Sequence, residues 1–356
     1  MKRVVIVGGG VVGLFCAVRL AKAGARVTVL EAEAEHADIY GPAASAAAAG
    51  MLSPLGETGS AHDALSFASL ALWREWQPGA EWADGVRFDG GVIIAANEVE
   101  AAAVIARAMT NATSAAPLSA SQLKKRTGLR AKHDHAVFVV DEGVADPLRV
   151  LSGLSMQARA HGVIIEYNAD VANVTAIAAK THDDKVYTAD VVLLTPGAWA
   201  TDKLMATAPA LKCIRPAKGH LLPVRLQEPL APNVHAPGFY LSTRRDDVVL
   251  GATMEFDRFD RAVEETQVAS LLAAAEAALP GEVRAAGRAW AGIRPMSPDG
   301  WPMIGPSGEV LIAAGHSRNG WLLAPITAEI ITGYVFGAEM PPAWAALSPD
   351  RFEKQA

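Results

Sequence analysis

The opening thirty-one residues constrain the fold more than any other segment. Val4 to Val7 is a short, continuous run of β-branched residues, as suits a parallel strand buried on both faces. Gly8-Gly9-Gly10-Val11-Val12-Gly13 follows at once and contains GxGxxG. Val11 to Ala23 then reads as a helix that Gly24 terminates, and Arg26 to Leu30 as a second strand with Glu31 at its end. In a chain with 31 glycines the motif alone says little. The strand before it, the helix opening on it and the acidic residue after the second strand make it the fingerprint of a dinucleotide-binding unit. Gly8 permits the tight turn, Gly10 lets backbone N–H groups approach a pyrophosphate at the helix N-terminus, and Gly13 allows close packing. Glu31 is expected to accept hydrogen bonds from the adenosine ribose. A secretory signal is the rival reading, because Lys2 and Arg3 precede the apolar run and Ala21-Lys22-Ala23 imitates a cleavage site. The glycines stand where a strand must turn into a helix, and a second strand follows immediately, so that reading is set aside. No other apolar run is long enough to span a bilayer, and a cytoplasmic protein is expected.

Composition narrows the partners. At 356 residues, 51% hydrophobic and 20% charged, the chain can bury a large core and is long enough for two domains. A net charge of -6 with 32 Lys and Arg gives no basic excess, so nucleic acid is not expected as a partner. Cys16 and Cys213 are too few for a disulfide framework or a metal cluster and suit a reducing compartment. His133-Asp134-His135 has ligand geometry along an extended segment, but no third ligand lies near in sequence, so no metal is expected. Gly-x-Ser-x-Gly and a reactive CxxC are both lacking, which leaves nucleophilic hydrolysis without support.

Along the chain, Leu65 to Trp76 reads as a helix, Val86 to Ala95 as a strand pair tightened by Gly90 and Gly91, and Ala43 to Gly50 as a close-packed loop. Asp146-Pro147 is an N-cap followed by proline at the first helical position, opening a helix that runs to Gly162. Strands follow at Val163 to Tyr167 and Val191 to Leu194. From Leu211 to Leu250 strands come without intervening helices, at Gly219 to Val224, Phe239 to Ser242 and Val248 to Ala252, which suits an antiparallel sheet. Arg244-Arg245-Asp246-Asp247 reads as a solvated hairpin turn within it. Glu264 to Leu279 is an amphipathic helix, and Val310 to Ala314 and Leu322 to Phe336 are the last strand and helix. The expected fold class is α/β. A Rossmann-like domain for the dinucleotide takes residues 1–80, 141–200 and 290–356, and an α+β substrate domain with an antiparallel sheet takes 81–140 and 201–289. The last fifty residues return to glycine-rich, apolar text able to hold an isoalloxazine against the first domain, which points to a flavin rather than a nicotinamide.

Taken in series, these segments resemble the D-amino-acid oxidase and glycine oxidase family of FAD-dependent enzymes. The carriers are GGGVVGL at 8–14, Glu31, SAAAAGML at 45–52, DEGVADPLRV at 141–150, LLTPGAWA at 193–200, RPAKGH at 215–220, YLSTRRDDVVLGAT at 240–253, WAGIRPMSPDGWPMIGP at 290–306 and GHSRNGWLLAP at 315–325. They span nearly the whole chain. The resemblance implies non-covalent FAD against Gly8, Gly10, Val12, Gly13, Glu31 and Ala32. It places Ala44, Ser45 and Ala46 along the pyrophosphate and flavin edge, Gly50 and Met51 close to the ring, and the Val171 backbone at the adenine. Thr195, Gly197 and Trp199 would cover the cofactor. Ser317, Arg318, Asn319, Gly320, Trp321 and Leu322 would wrap the pyrimidine end, their amides meeting the charge that develops on reduction. Arg294 matches the arginine that grips the substrate carboxylate, a task for which a planar guanidinium offers two parallel hydrogen bonds. Tyr240 matches the tyrosine that closes over the substrate, and Arg318 a second arginine near the flavin. Met51 and Trp321 would crowd the flavin face. The family's histidine two positions before Tyr240 is replaced by Gly238, a change expected to remove a side chain from the pocket wall.

The implied activity is oxidative deamination of a small amino acid such as glycine, sarcosine or a small D-amino acid. A hydride leaves the α-carbon of the neutral amine, water hydrolyses the imine, and oxygen takes both electrons as peroxide. The alternative is a dehydrogenase of the same fold, for D-amino acids or N-substituted glycines, with a quinone or electron carrier as acceptor. A flavin protein without turnover and a tRNA-modifying relative fit less well, because a carboxylate grip is present and a basic face is not. Self-association into a homo-oligomer is left open by the sequence.

Overall fold

A computed structural model describes residues 1–35, 38–55, 63–132, 135–244 and 247–353. The strand Arg3–Val7 lies inside a six-stranded sheet ordered Met303–Ser307, Val310–Ala314, Val191–Leu194, Arg3–Val7, Arg26–Leu30, Ile164–Glu166. All neighbours run parallel except Met303–Ser307, which closes one edge antiparallel. The unbroken apolar text of the first strand follows from cover on both faces. Val4 and Ile6 pack on one side with the helices Val11–Lys22, Pro147–Ala160 and Gly320–Phe336. Val5 and Val7 pack on the other against a three-stranded meander of Val171–Thr175, Ala178–Thr181 and Val186–Thr188.

The second sheet has ten strands. Its main path is Glu255–Phe256, Arg215–Arg225, Val248–Gly251, Phe239–Thr243, Asn233–Ala236, Gly91–Ile94, Ala136–Val139 and Ala115–Leu118. The strands Arg284–Ala285 and Trp290–Met296 pair with the long strand Arg215–Arg225 as well. Pairing is antiparallel except between Asn233–Ala236 and Gly91–Ile94. The helix Glu265–Ala278 covers one face through Leu271 and Ala275, which meet Leu222, Leu241 and Leu250. The strand Trp290–Met296, numbered with the dinucleotide portion in the expected division, hydrogen-bonds along its length to this second sheet. Among the described residues no helix is long and apolar enough to cross a membrane.

Three local expectations change. Val86 to Ala95 does supply two strands, but Val86–Arg87 pairs with Gly143–Ala145 in a small separate sheet while Gly91–Ile94 joins the large one. Gly90, at φ +79°, therefore passes the chain between sheets and closes no hairpin. The alanine-rich loop contains one helical turn, Ala44–Ala47, between extended flanks. At the turn joining Phe239–Thr243 to Val248–Gly251, Arg244 is 7% exposed and therefore not solvated, while Arg245 and Asp246 lie outside the described residues. The helices Glu98–Thr110 and Ala120–Thr127 escape the sequence reading, although Asn97 is an N-cap and Ser119 with Gln122 forms a capping box.

Candidate active site

The glycine loop takes the shape its motif demands. Gly8 leaves the strand at φ +108°, and a Cβ there would stand 2.3 Å from the Thr195 carbonyl oxygen. One on Gly13 would stand 2.0 Å from the Gly8 carbonyl oxygen, so helix and strand approach too closely for any side chain. The Thr195 hydroxyl donates to the Gly8 carbonyl at 2.8 Å. Gly10 is the helix N-cap, Val12 lies in the first turn, and Ser45 Oγ accepts the Val11 N–H at 3.1 Å. The Glu31 carboxylate accepts N–H groups from Gly9 at 2.5 Å and Glu33 at 2.9 Å, with Ala32 exposed between them. Gly9, Gly10, Glu31, Ser45, Leu151 and Tyr167 help line a cleft of about 380 Å³. Bare backbone at a helix N-terminus beside a carboxylate at a strand end fits the pyrophosphate and ribose of a dinucleotide. Val171 is buried at the start of the meander.

The alanine segment beyond the cleft is held by its carbonyls. Trp321 Nε1 donates to Ser45 O at 3.1 Å, Trp290 Nε1 to Ala47 O at 2.8 Å, Arg244 Nη2 to Ala48 O at 2.9 Å and Ser242 Oγ to Ala49 O at 3.0 Å. A single helical turn and its extended flank leave most of their carbonyls without main-chain partners, so outside donors are needed for them. Ala46 and Ala47 are buried, and a Cβ added at Gly292 would come within 2.8 Å of the Ala47 Cβ. Gly50 then turns at φ +77° against the Ala145 carbonyl, and Met51 packs with Tyr240, Trp290 and Val249. Sequence reasoning misses Trp290, Ser242 and Arg244. The signal for Trp290 was available, since a period of two puts it on the same strand face as Arg294.

That face carries the second half of the site. Trp290, Leu221, Gly251, Tyr240 and His235 are successive partners across the sheet, so their rows face the alanine segment together. The Arg294 guanidinium lies near enough to the Tyr240 hydroxyl to pull on its proton, and its Nη1 donates to Thr253 O at 3.2 Å. Glycines make the room. A Cβ at Gly219 would lie 2.0 Å from Arg294 Nη1, and one at Gly251 would lie 2.6 Å from the Tyr240 hydroxyl. Burial raises the Tyr240 phenol above its ordinary value against the opposing pull of Arg294 and Arg244, so it is a neutral donor near pH 7. Arg294 is half-buried, and among the described residues no carboxylate forms an ion pair with it. Elsewhere the buried Lys218 meets Asp260 at 2.7 Å and Glu264 at 3.2 Å, the part-buried Arg107 meets Asp63 at 3.0 Å, and the buried Arg244 donates to the Ala48 carbonyl. A half-buried guanidinium without an anion is the place for one from outside.

The remaining expected residues gather around these two parts. The Ser317 N–H donates to Pro295 O at 2.9 Å, which ties the segment of Ser317 and the exposed Arg318 to the strand bearing Arg294. Asn319 is the N-cap of Gly320–Phe336, in which Trp321 and Leu322 are buried. Gly197 turns at φ +59°, and Trp199 donates to Pro42 O at 3.1 Å while packing on Phe259 at 4.7 Å between ring centres. Gly238 corrects an expectation. It turns at φ +83°, and a Cβ there would face Ala274 at 3.6 Å, on the covering helix away from Arg294, so the glycine opens no pocket wall. His133 and Asp134 lie outside the described residues, among which no cluster of His, Cys, Asp or Glu could hold a metal.

Residues 3–334 match the family described as FAD dependent oxidoreductase. The chain is 31% identical over 373 residues to the glycine oxidase of Pseudomonas putida, covering 95% of each. It is 29% identical over 369 residues to the bifunctional protein ThiO/ThiG of Synechocystis sp., matching 98% of this chain and 54% of that one, so it spans about half of that relative. Among solved structures, glycine oxidase from Geobacillus kaustophilus superposes with a TM-score of 0.82 at 26% identity, covering 98% of both chains.

Proposed function

Since the chain belongs to the FAD-dependent oxidoreductase family, with FAD as its cofactor, we propose that it oxidises the C–N bond of a small amino acid such as glycine, sarcosine or a small D-amino acid. The observation that carries this reading is Arg294, a half-buried guanidinium near the Tyr240 hydroxyl that, among the described residues, has no carboxylate partner. A substrate carboxylate completes that pair through the donors that Thr253 leaves over, and Tyr240 adds a neutral O–H. The glycine loop and Glu31 would hold the adenosine and pyrophosphate of FAD, and the pinned run Ser45 to Met51 would border its flavin. FAD, when bound, supplies the two-electron acceptor for the Cα–N bond. The residues described act by placement, since fixing the carboxylate fixes the direction of the Cα–H. Met51, packed with Trp290 and Tyr240, would limit the room beside it, which favours short side chains. Oxygen is the acceptor we propose.

Mixing the holoenzyme without oxygen against glycine, sarcosine, D-alanine, D-proline and D-phenylalanine tests the proposal. The yellow colour should bleach fastest with the small members, and air should restore it with release of peroxide. Fastest bleaching by D-phenylalanine would sink the small-substrate claim. A colour that returns only when a quinone is added would replace oxygen as acceptor. No bleaching by any of them would remove amino acids as the substrate class.

A further inference from the structure

Resting on that reading of Arg294, we propose that His220 and Thr253 form a positioning pair that aims the guanidinium at the substrate carboxylate from the opposite side of the sheet. His220 and Leu221 are neighbours on one strand, so their side chains leave by opposite faces, with Leu221 in the row of Trp290 and Tyr240. His220 is wholly buried on the far face. Thr253 follows the end of the strand Val248–Gly251 and joins the two sides. Its carbonyl accepts Arg294 Nη1 at 3.2 Å, and its hydroxyl lies 2.9 Å from both the backbone N and the ring Nδ1 of His220.

The other ring nitrogen defines the proton count. His220 Nε2 accepts the Glu264 backbone N–H at 3.1 Å, so its own proton sits on Nδ1 and the ring is neutral. That Nδ1–H is aimed at the Thr253 hydroxyl, with Glu255 Oε1 3.1 Å away. Burial also lowers the histidine against the opposing pull of Glu255 and Glu264. Thr253 is thus fixed by two contacts to His220 and presents its carbonyl in one place. With Gly219 leaving space beneath Nη1, the guanidinium has, among the described residues, one donor committed to the protein and the rest of its fork left for a ligand.

The test uses the FAD-loaded protein and acetate, a carboxylate that cannot be oxidised here, titrated by calorimetry and by the change it makes in flavin absorbance. His220→Ala and Thr253→Val should each weaken acetate roughly five- to tenfold, the scale of one hydrogen bond. KM for the amino acid should rise by the same factor, with FAD affinity and flavin reduction potential unchanged. His220→Gln, which keeps a donor and an acceptor, and Thr253→Ser, which keeps the hydroxyl, should restore affinity. Wild-type acetate affinity in folded His220→Ala and Thr253→Val would overturn the pairing. So would equal losses in His220→Gln and His220→Ala, which would assign the effect to packing. Should His220→Ala fail to fold, the Thr253→Val and Thr253→Ser pair decides alone. Acetate binding that is insensitive to Arg294→Ala would refute the proposed function itself. Binding that needs Arg294 but ignores His220 and Thr253 refutes only this inference.

Discussion

At Arg294 the guanidinium is valuable for its shape as well as its charge. Arg294→Ala should lower kcat/KM by roughly a hundred- to several-thousand-fold, the equivalent of about 3 to 5 kcal/mol, while the flavin spectrum stays intact. Arg294→Lys should recover little, because an ammonium cannot make the two parallel bonds. Steady-state kinetics with glycine would check both, and unchanged values would remove Arg294 from the site. His316 gives a prediction of another kind. It is 4% exposed, with Nε2 at 3.0 Å from Thr327 Oγ1, and burial pushes its pKa down to about 3. An unfolded histidine takes up its proton near pH 6.5 or so, which the folded protein refuses. The stability this group contributes is therefore complete above about pH 6.5 and is lost as pH falls toward 3, at about 1.4 kcal/mol per unit. His316→Asn should flatten the dependence of Tm on pH between about 6 and 4. An unaltered slope would assign the acid sensitivity elsewhere. Arg294, Glu31 and the loop glycines were legible in the sequence because their residue types state their chemistry. Arg244 and His220 were not, because their roles depend on which main-chain group they face.

The last helix shows how an element can carry an apparent defect. Pro325 sits inside Gly320–Phe336 and brings no N–H to the Trp321 carbonyl four residues earlier. The helix Asp63–Trp76 repairs the gap: Trp73 Nε1 donates to Trp321 O at 3.1 Å and to Leu322 O at 3.2 Å. Ser69 Oγ donates to Leu322 O at 2.5 Å and accepts the Ile326 N–H at 3.4 Å. Ser69→Ala and Trp73→Phe should each cost about 1 to 3 kcal/mol of stability, the scale of a buried polar group left unpaired. They should combine non-additively, since both serve the same carbonyl. Denaturant melts of the two variants and their double would show this, and strict additivity would mean that the residues act independently. The helix opened by Asp146-Pro147 was read from its marked end, while Glu98–Thr110 and Ala120–Thr127 were missed although their ends are marked too. The fate of Val86 to Ala95 cannot be read from local text, because a strand's sheet is chosen by partners at Gly143–Ala145 and Ala136–Val139, far along the chain.

For the whole molecule, the two large sheets and the class of cofactor were legible, since strand text and the glycine loop announce them. How the sheets meet was not. They meet over the run Ser45 to Met51, held between Trp290, Ser242 and Arg244 on one side and Trp321 on the other. With neither cysteine offering a link by sequence, and Cys16 fully buried with its thiol pushed far up, purified protein should be yellow and release FAD into the supernatant on acid precipitation. Added FAD should raise the Tm of the stripped protein, through about 2.7 kcal/mol of added stability at a hundredfold excess over Kd. Flavin that stays with the pellet would contradict both. The grip on Ser45 to Ala49 has a consequence for how such a protein can drift. Four side chains elsewhere in the chain read only carbonyl oxygens there, and every residue type supplies one. Serine or glycine in place of an alanine would leave the bonds standing. Where its side chains are not themselves packed or bonded, the segment can therefore change its letters cheaply, while its shape is dictated from positions nearly two hundred residues and more away.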